Sequence, residues 1–177
     1  MQVLLRINLG DAAITVDDDL VKKPLAEPLA GVARAQHYLG GEVEISDQGR
    51  EPLQILDDLE QLVPRLCLQA LARLEQGEAV TIPLFTDPAK LTLTPKGDQL
   101  EIEAPDGRRD QFPLAAALVA LEACGARFAH LLELNFPGDE GRERKLAPMR
   151  LVLMQREDAR LRDAPPPDMS AWADKDV

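Results

Sequence analysis

Apolar and polar residues alternate from the first positions of the chain. Val3, Leu5, Ile7 and Leu9 are separated by Leu4, Arg6 and Asn8, a period of two that predicts a strand. Gly10-Asp11 is a turn signal, and Ala13-Ile14-Thr15-Val16 predicts a second short strand, so the chain opens with a hairpin. From Asp17 to Gly41 the pattern is ambiguous. Pro24 and Pro28 interrupt it, and Val32 to Leu39 reads as a short helix that Gly40-Gly41 would end. Glu42-Val43-Glu44-Ile45 then alternates acid with aliphatic, as a strand with one wet face does.

The period changes after Pro52. Leu56, Leu59, Leu62 or Val63, Leu66, Ala70 and Leu74 recur at helical spacing, predicting a helix from Pro52 to Gln76 with Gly77 just past its end. Pro64 removes a helical N–H and biases its predecessor away from helix, so a kink or break is expected near Glu60–Val63. Strand alternation returns at Val80-Ile82-Leu84, Leu91-Leu93 and Leu100-Ile102, joined by Thr86-Asp87-Pro88 and Pro95-Lys96-Gly97-Asp98 and followed by Pro105-Asp106-Gly107. This is an antiparallel meander, with Pro83 best placed on an edge strand. An Ala-rich, largely apolar helix follows from about Pro113 to Asn135. Residues 137–147 read as a charged loop, and Met149, Leu151 and Leu153 as a final strand. Ala164-Pro165-Pro166-Pro167 ends regular structure and begins a flexible, Pro-rich, acidic tail, 164–177. The elements predict an α+β fold in one domain over 1–163: a twisted antiparallel sheet with two long helices packed on one face.

Composition narrows the partners. The 177 residues are 45% hydrophobic, so a sizeable core is expected. They hold 31 Asp+Glu against 20 Lys+Arg, a net charge of -11. A surface this negative repels nucleic acid and anionic lipid and attracts basic proteins. The acidity belongs to the body, because the tail contributes only Asp168, Asp174 and Asp176 against Lys175. No run of uncharged apolar residues is long enough for a membrane span, and the N-terminus reads as a strand, not as a secretion signal. The expected address is the cytoplasm. Cys67 and Cys124 sit in helical apolar patterns and read as reduced, buried thiols. A disulfide would require their two helices to face each other.

Catalytic chemistry is poorly represented. Asp17-Asp18-Asp19 lacks the ligand spacing and glycine of an EF-hand loop and reads as a solvated turn. Asp57 and Asp58 would complement a helix dipole while projecting into solvent; an acid–base role for them would need a cleft. His37 and His130 do not share a ligand spacing with either cysteine. Ser46 and Ser170 lie outside any nucleophile-elbow context, and the glycines match no phosphate or dinucleotide motif. No catalytic residue, metal ligand or cofactor is assigned. The basic run Arg142, Arg144, Lys145, Arg150, Arg156, Arg160 and Arg162 is interleaved with acids and reads as a salt-bridged surface or an internal partner for the acidic face.

The remaining candidate is a carboxylate patch. Glu42 and Glu44 share the wet face of one strand and Glu101 and Glu103 that of another, with Asp47 and Asp98 nearby if the faces align. Such a patch would speed encounter with a basic protein and make its affinity salt-sensitive, although it would equally serve solubility. In size, acidity, the strand segments EVEISD and LTLTPKGDQLEIEAPDG, and its Ala/Leu-rich helix, the chain resembles the small acidic immunity proteins that bacteria pair with toxins of contact-dependent and type VI systems. The resemblance implies a cytoplasmic inhibitor that occludes a basic toxin or effector, and it carries over no individual functional residues. The acidic chaperones and adaptors of secretion systems share the same general character and are the alternative. Both monomer and homodimer stay open.

Overall fold

The computed structural model describes residues 1–163 except Pro28 and Gln48. The predicted tail, 164–177, lies outside the described residues. The chain is an α+β fold whose strands form two four-stranded antiparallel sheets. In the first, β1 (Gln2–Leu9), β2 (Ala12–Val16), β3 (Gly40–Ser46) and β4 (Leu53–Asp58) lie in the order β2-β1-β3-β4. In the second, β5 (Val80–Pro83), β6 (Lys90–Lys96), β7 (Gln99–Glu103) and β8 (Arg109–Pro113) lie in sequence order. Pro83 is on an edge strand, where its missing N–H breaks no ladder bond.

Each sheet turns one face to a common helical layer. Val3, Leu5, Ile7 and Leu9 of β1, Val43 and Ile45 of β3, and Leu53 and Ile55 of β4 point inward and are buried. In the second sheet Val80, Ile82, Leu91, Leu93, Leu100, Ile102 and Phe112 do the same. Full burial of such a side chain contributes ~1.5–3 kcal/mol. Helix α4 (Leu114–Asn135) spans the layer, touching β1 and β2 of one sheet and β7 and β8 of the other. By length and hydropathy it would also pass for a bilayer span. In the fold it is a core helix, with Leu121, Cys124, Phe128, Leu131 and Leu132 buried.

Four expectations are corrected. The helix expected from Pro52 starts only at Leu59, and its predicted first turns are strand β4. Leu53 and Ile55 are buried while Leu56 is 62% exposed, a period of two that the helical reading had spread over a helix face. The short helix expected at Val32–Leu39 is α1, Leu29–Ala35, and Gly40-Gly41 begins β3 instead of ending a helix. Gly41 is required there, because a Cβ would stand 2.2 Å from the Arg6 carbonyl oxygen and 2.6 Å from Leu59 Cδ1. The loop over 137–147 and the strand after it are one helix, α5 (Glu140–Asp163). Its buried apolar residues, Leu146 and Met149, are three apart, with Val152 and Leu153 half-buried, whereas Leu151 and Met154 are exposed. Strand β8, with Phe112 as its only buried residue, was not expected at all.

The predicted disturbance at Pro64 takes the form of a widened turn. Helix α2 (Leu59–Pro64) runs through a π-helical segment, Arg65–Gln69, into α3 (Ala70–Glu75). Within it the Ala70 N–H donates to the Arg65 carbonyl, five residues back. This segment holds Cys67 against α4, where a Cβ on Gly125 would approach Cys67 Cβ to 2.9 Å. The helices of Cys67 and Cys124 therefore do face each other. Both thiols are buried and unbridged, and burial, followed by a hydrogen bond with Cys124, pushes the Cys67 thiol well above its ordinary value.

Candidate functional site

The outer faces of the two sheets carry the predicted carboxylates. In β3 the inward Gly41, Val43 and Ile45 alternate with Gly40, Glu42 and Glu44, so both glutamates lie on the outer face of the first sheet. Arg6 of β1 stands opposite Glu42. Its guanidinium lies 3.6 Å from Glu42 Oε1 and 2.8 Å from Glu44 Oε2. The expected wet face is thus only partly wet: Glu44 is buried beneath this pair. Asp47 lies just beyond β3, 3.6 Å from the Met1 amino group.

Glu101 and Glu103 lie on the outer face of the second sheet, between buried Leu100 and Ile102. Glu101 accepts from Lys96 Nζ at 2.7 Å and from Gln111 Nε2 at 3.2 Å, and these bonds hold its carboxyl below the ordinary range. Glu103 pairs with Arg109 at 3.0 Å. Asp98 is exposed in the β6–β7 turn, where its backbone carbonyl receives the Leu114 N–H. The six residues therefore form two groups, Glu42, Glu44 and Asp47 on one sheet and Asp98, Glu101 and Glu103 on the other. The groups approach where the β3–β4 loop meets β8: Arg50 donates to the Gln111 carbonyl at 3.1 Å, and Arg108 donates to the Pro52 carbonyl.

The basic run on α5 is an internal partner for acids of the helical layer. Arg142 and Lys145 both bond Glu60, Arg150 pairs with Glu133 and Glu143, and Arg156 pairs with Glu75 and Glu122. Arg142 also lies 4.0 Å above the Phe136 ring. The consequence is a division of charge. The helical segments 59–75 and 114–163 hold ten acids and ten bases, a net of zero. The sheet-bearing segments 1–58 and 76–113 hold 18 acids and 9 bases, a net of -9.

Asp57 and Asp58 do not project into solvent; both are buried at the end of β4. Asp58 caps α2, its Oδ1 accepting from the Glu60 N–H at 3.0 Å. Asp57 reaches across to the β5–β6 loop. Its carboxylate accepts from Phe85 N at 2.9 Å, and from Thr86 N at 2.8 Å and Thr86 Oγ1 at 3.0 Å. Asp57 is engaged in holding the loop backbone, and Asp58 Oδ1 in holding the first turn of α2. Among the described residues no group of three or more His, Cys, Asp or Glu is placed to hold a metal. His37 is exposed, and His130 lies 3.3 Å from Glu133.

Three apolar residues stand exposed around this end of β4: Tyr38, Phe85 and Leu56, the last of which the helical pattern places on an apolar helix face. The only sequence signals for the two aromatics were the glycine pair after Tyr38 and the turn residues after Phe85. A separate apolar cleft of about 420 Å³ lies between the π-helical segment and α5, lined by Pro64, Leu68, Ala72, Pro148 and Val152. No family model, curated protein or solved structure matches the chain.

Proposed function

We propose that this chain is a non-catalytic protein-binding module, an immunity protein that binds and neutralises a cognate basic toxin or effector in the cytoplasm. The observation that carries the reading is the division of charge. Solubility alone gives no reason to neutralise the helical layer while leaving a net of -9 on the sheet-bearing segments with their loops. A negative face of this kind raises the encounter rate with a cationic protein and repels wrong partners. Glu42, Glu44, Asp47, Asp98, Glu101 and Glu103 supply the field. Lys96 and Arg109, which pair with Glu101 and Glu103, are on the surface, where an ion pair is worth about 0–1 kcal/mol and is readily exchanged.

The test is affinity purification of the tagged chain from its native cell with low- and high-salt washes. One basic protein at 1:1 stoichiometry, inhibited when bound and released by salt, is the expected result. Reversing Glu42, Glu44, Glu101 and Glu103 to Lys should weaken the complex; unchanged affinity and salt dependence would remove the acidic faces from the site.

The chaperone or adaptor alternative draws on a different observation, the apolar cleft beside α5. Such a protein would hold an extended or helical segment of an effector before export. A strictly monomeric chain with a folded target counts against it.

A further inference from the structure

We propose that the outer face of the first sheet around Tyr38 and Leu56, with Phe85 at its β4 edge, is the docking surface for a basic protein that presents an arginine or lysine beside an apolar side chain. The proposal rests on the inhibitor reading and gives it a location.

Aromatic residues are scarce here, and their placement is selective. Among the described residues Phe112, Phe128 and Phe136 are 1%, 0% and 4% exposed, which leaves Tyr38 at 52% and Phe85 at 64%. Both of these flank the same end of β4. Gly41 points inward, so Gly40 belongs to the outer face, and the Tyr38 ring lies 3.4 Å from where a Gly40 Cβ would stand. Leu56 is opposite Glu42, which makes it the diagonal neighbour of Gly40, within reach of an aromatic ring. Phe85 stands at the β4 edge of this face: its N–H and that of Thr86 are bound by Asp57, whose side chain has the inward parity of Leu53 and Ile55, opposite to Leu56.

This surface is pre-formed. Asp57 fixes the Phe85 loop with a buried carboxylate, so little freedom is lost when a partner lands on it. Aromatic side chains on a rigid support are the usual anchors of protein interfaces. The loops bonded at the two ends of β4, by Asp57 at one and by Arg108 to Pro52 at the other, favour docking on the face over addition of a strand to the edge.

Glu42 says what the partner brings. It lies on the outer face opposite Leu56, partly exposed, and Arg6 stands 3.6 Å from its Oε1, an ion pair too long for a hydrogen bond. An arginine or lysine that lands beside Leu56 adds a second cation to this loosely paired carboxylate. The same charge argues against a second copy of this chain, since the sheet-bearing segments of both copies carry a net of -9.

The experiment places a photoreactive benzoyl-phenylalanine at position 38, 56 or 85 of the full chain in its native cell, with Val119 and Leu151 as exposed controls. The expected result is an adduct with one and the same strongly basic protein from all three positions and from neither control. Leu56→Lys should then weaken binding to that protein at least tenfold without altering the circular dichroism spectrum, while Val119→Lys leaves it unchanged. Adducts to a second copy, to a neutral or acidic protein, from the controls instead, or from no position would each overturn the proposal. So would an unchanged affinity of Leu56→Lys. A basic partner captured and inhibited by the chain yet never cross-linked from these positions would sink the face and leave the inhibitor reading standing. Cross-linking to a basic partner that keeps its full activity in the complex would do the reverse.

Discussion

Asp58 shows how one buried carboxyl sets a local compromise. Burial pushes its pKa above the ordinary 3.8, against the opposing hydrogen bond from the Glu60 N–H. The folded chain therefore holds the Asp58 proton more tightly than the unfolded chain does. Charged Asp58 subtracts stability above its folded pKa, and the penalty fades as pH falls to 3.8 and below. Asparagine caps a helix as well as aspartate and carries no charge. Asp58→Asn should thus match or exceed the parent in thermal stability at pH 7, with the advantage disappearing near pH 3.8. Asp58→Ala should lose about 1 kcal/mol with the cap. Glu60 is the opposite case. Its side chain is 1% exposed and pairs with both Arg142 and Lys145, so removing it takes from the buried guanidinium its one buried carboxylate and leaves it Asp139 and the Gln36 carbonyl. Glu60→Ala should destabilise by ~3–5 kcal/mol in urea titration, far beyond the effect of a surface pair.

Helix α5 is attached as much by charge as by apolar packing, and this has a pH signature. Glu133 is held below the ordinary 4.5, the hydrogen bonds from Arg150 and His130 outweighing its partial burial. Asp139 is held below 3.8, first by the Arg142 N–H and then by the Arg142 charge, against a small opposing effect of burial. Lowered carboxyl pKa values stabilise the fold above the ordinary range, and the gain is lost as pH falls through the folded values below 4.5 and 3.8. Hydrogen-exchange protection of α5 should therefore fall between pH 5 and pH 3 before that of α4. Equal loss in both helices would show that the ion pairs do not govern the attachment. The same charges explain why α5 was illegible in the sequence. Its apolar stripe is thin, Leu146 and Met149 are its only fully buried apolar residues, and Met149-Leu151-Leu153 mimics a strand until the salt bridges to Glu75, Glu122 and Glu133 are known. Strand β1 and helix α4 were readable because each repeats its inward residue several times, and β6 and β7 because turn residues bracket each pair of inward residues. β4 offered only Leu53 and Ile55 before merging with a real helix, and β8 offered Phe112 alone. The outward parity of Glu42 and Glu44 was legible for the same reason, whereas their partner Arg6, the anchor Asp57 and the exposed ring of Phe85 depend on contacts between distant segments.

At the scale of the whole molecule, the two sheets are joined by elements that belong to neither alone. α4 packs on both, α2 and the π-helical segment continue into α3, and these helices touch β3 and β4 at one end and β5 and β6 at the other. Side-chain ties reinforce the junction: Asp57 to the Phe85 loop, Arg65 to the Pro83 carbonyl at 3.2 Å and Arg50 to Gln111. Neither sheet has a second apolar layer of its own, because the inward residues of both bury against the shared helices. A four-stranded sheet without its cover exposes its core face, so one sheet should not survive the loss of the other. Denaturant unfolding should then be a single transition, with amide signals from Val43 in the first sheet and Leu93 in the second sharing one midpoint. Phe128 is fully buried in α4 and distinguishes the alternatives. Phe128→Ala should cost ~3–5 kcal/mol and shift both midpoints together. A second sheet that kept its original midpoint while the first was destabilised would divide the chain into two independent units. The division of charge would then belong to separate modules, and docking on the first sheet would no longer draw on the acidity of the second.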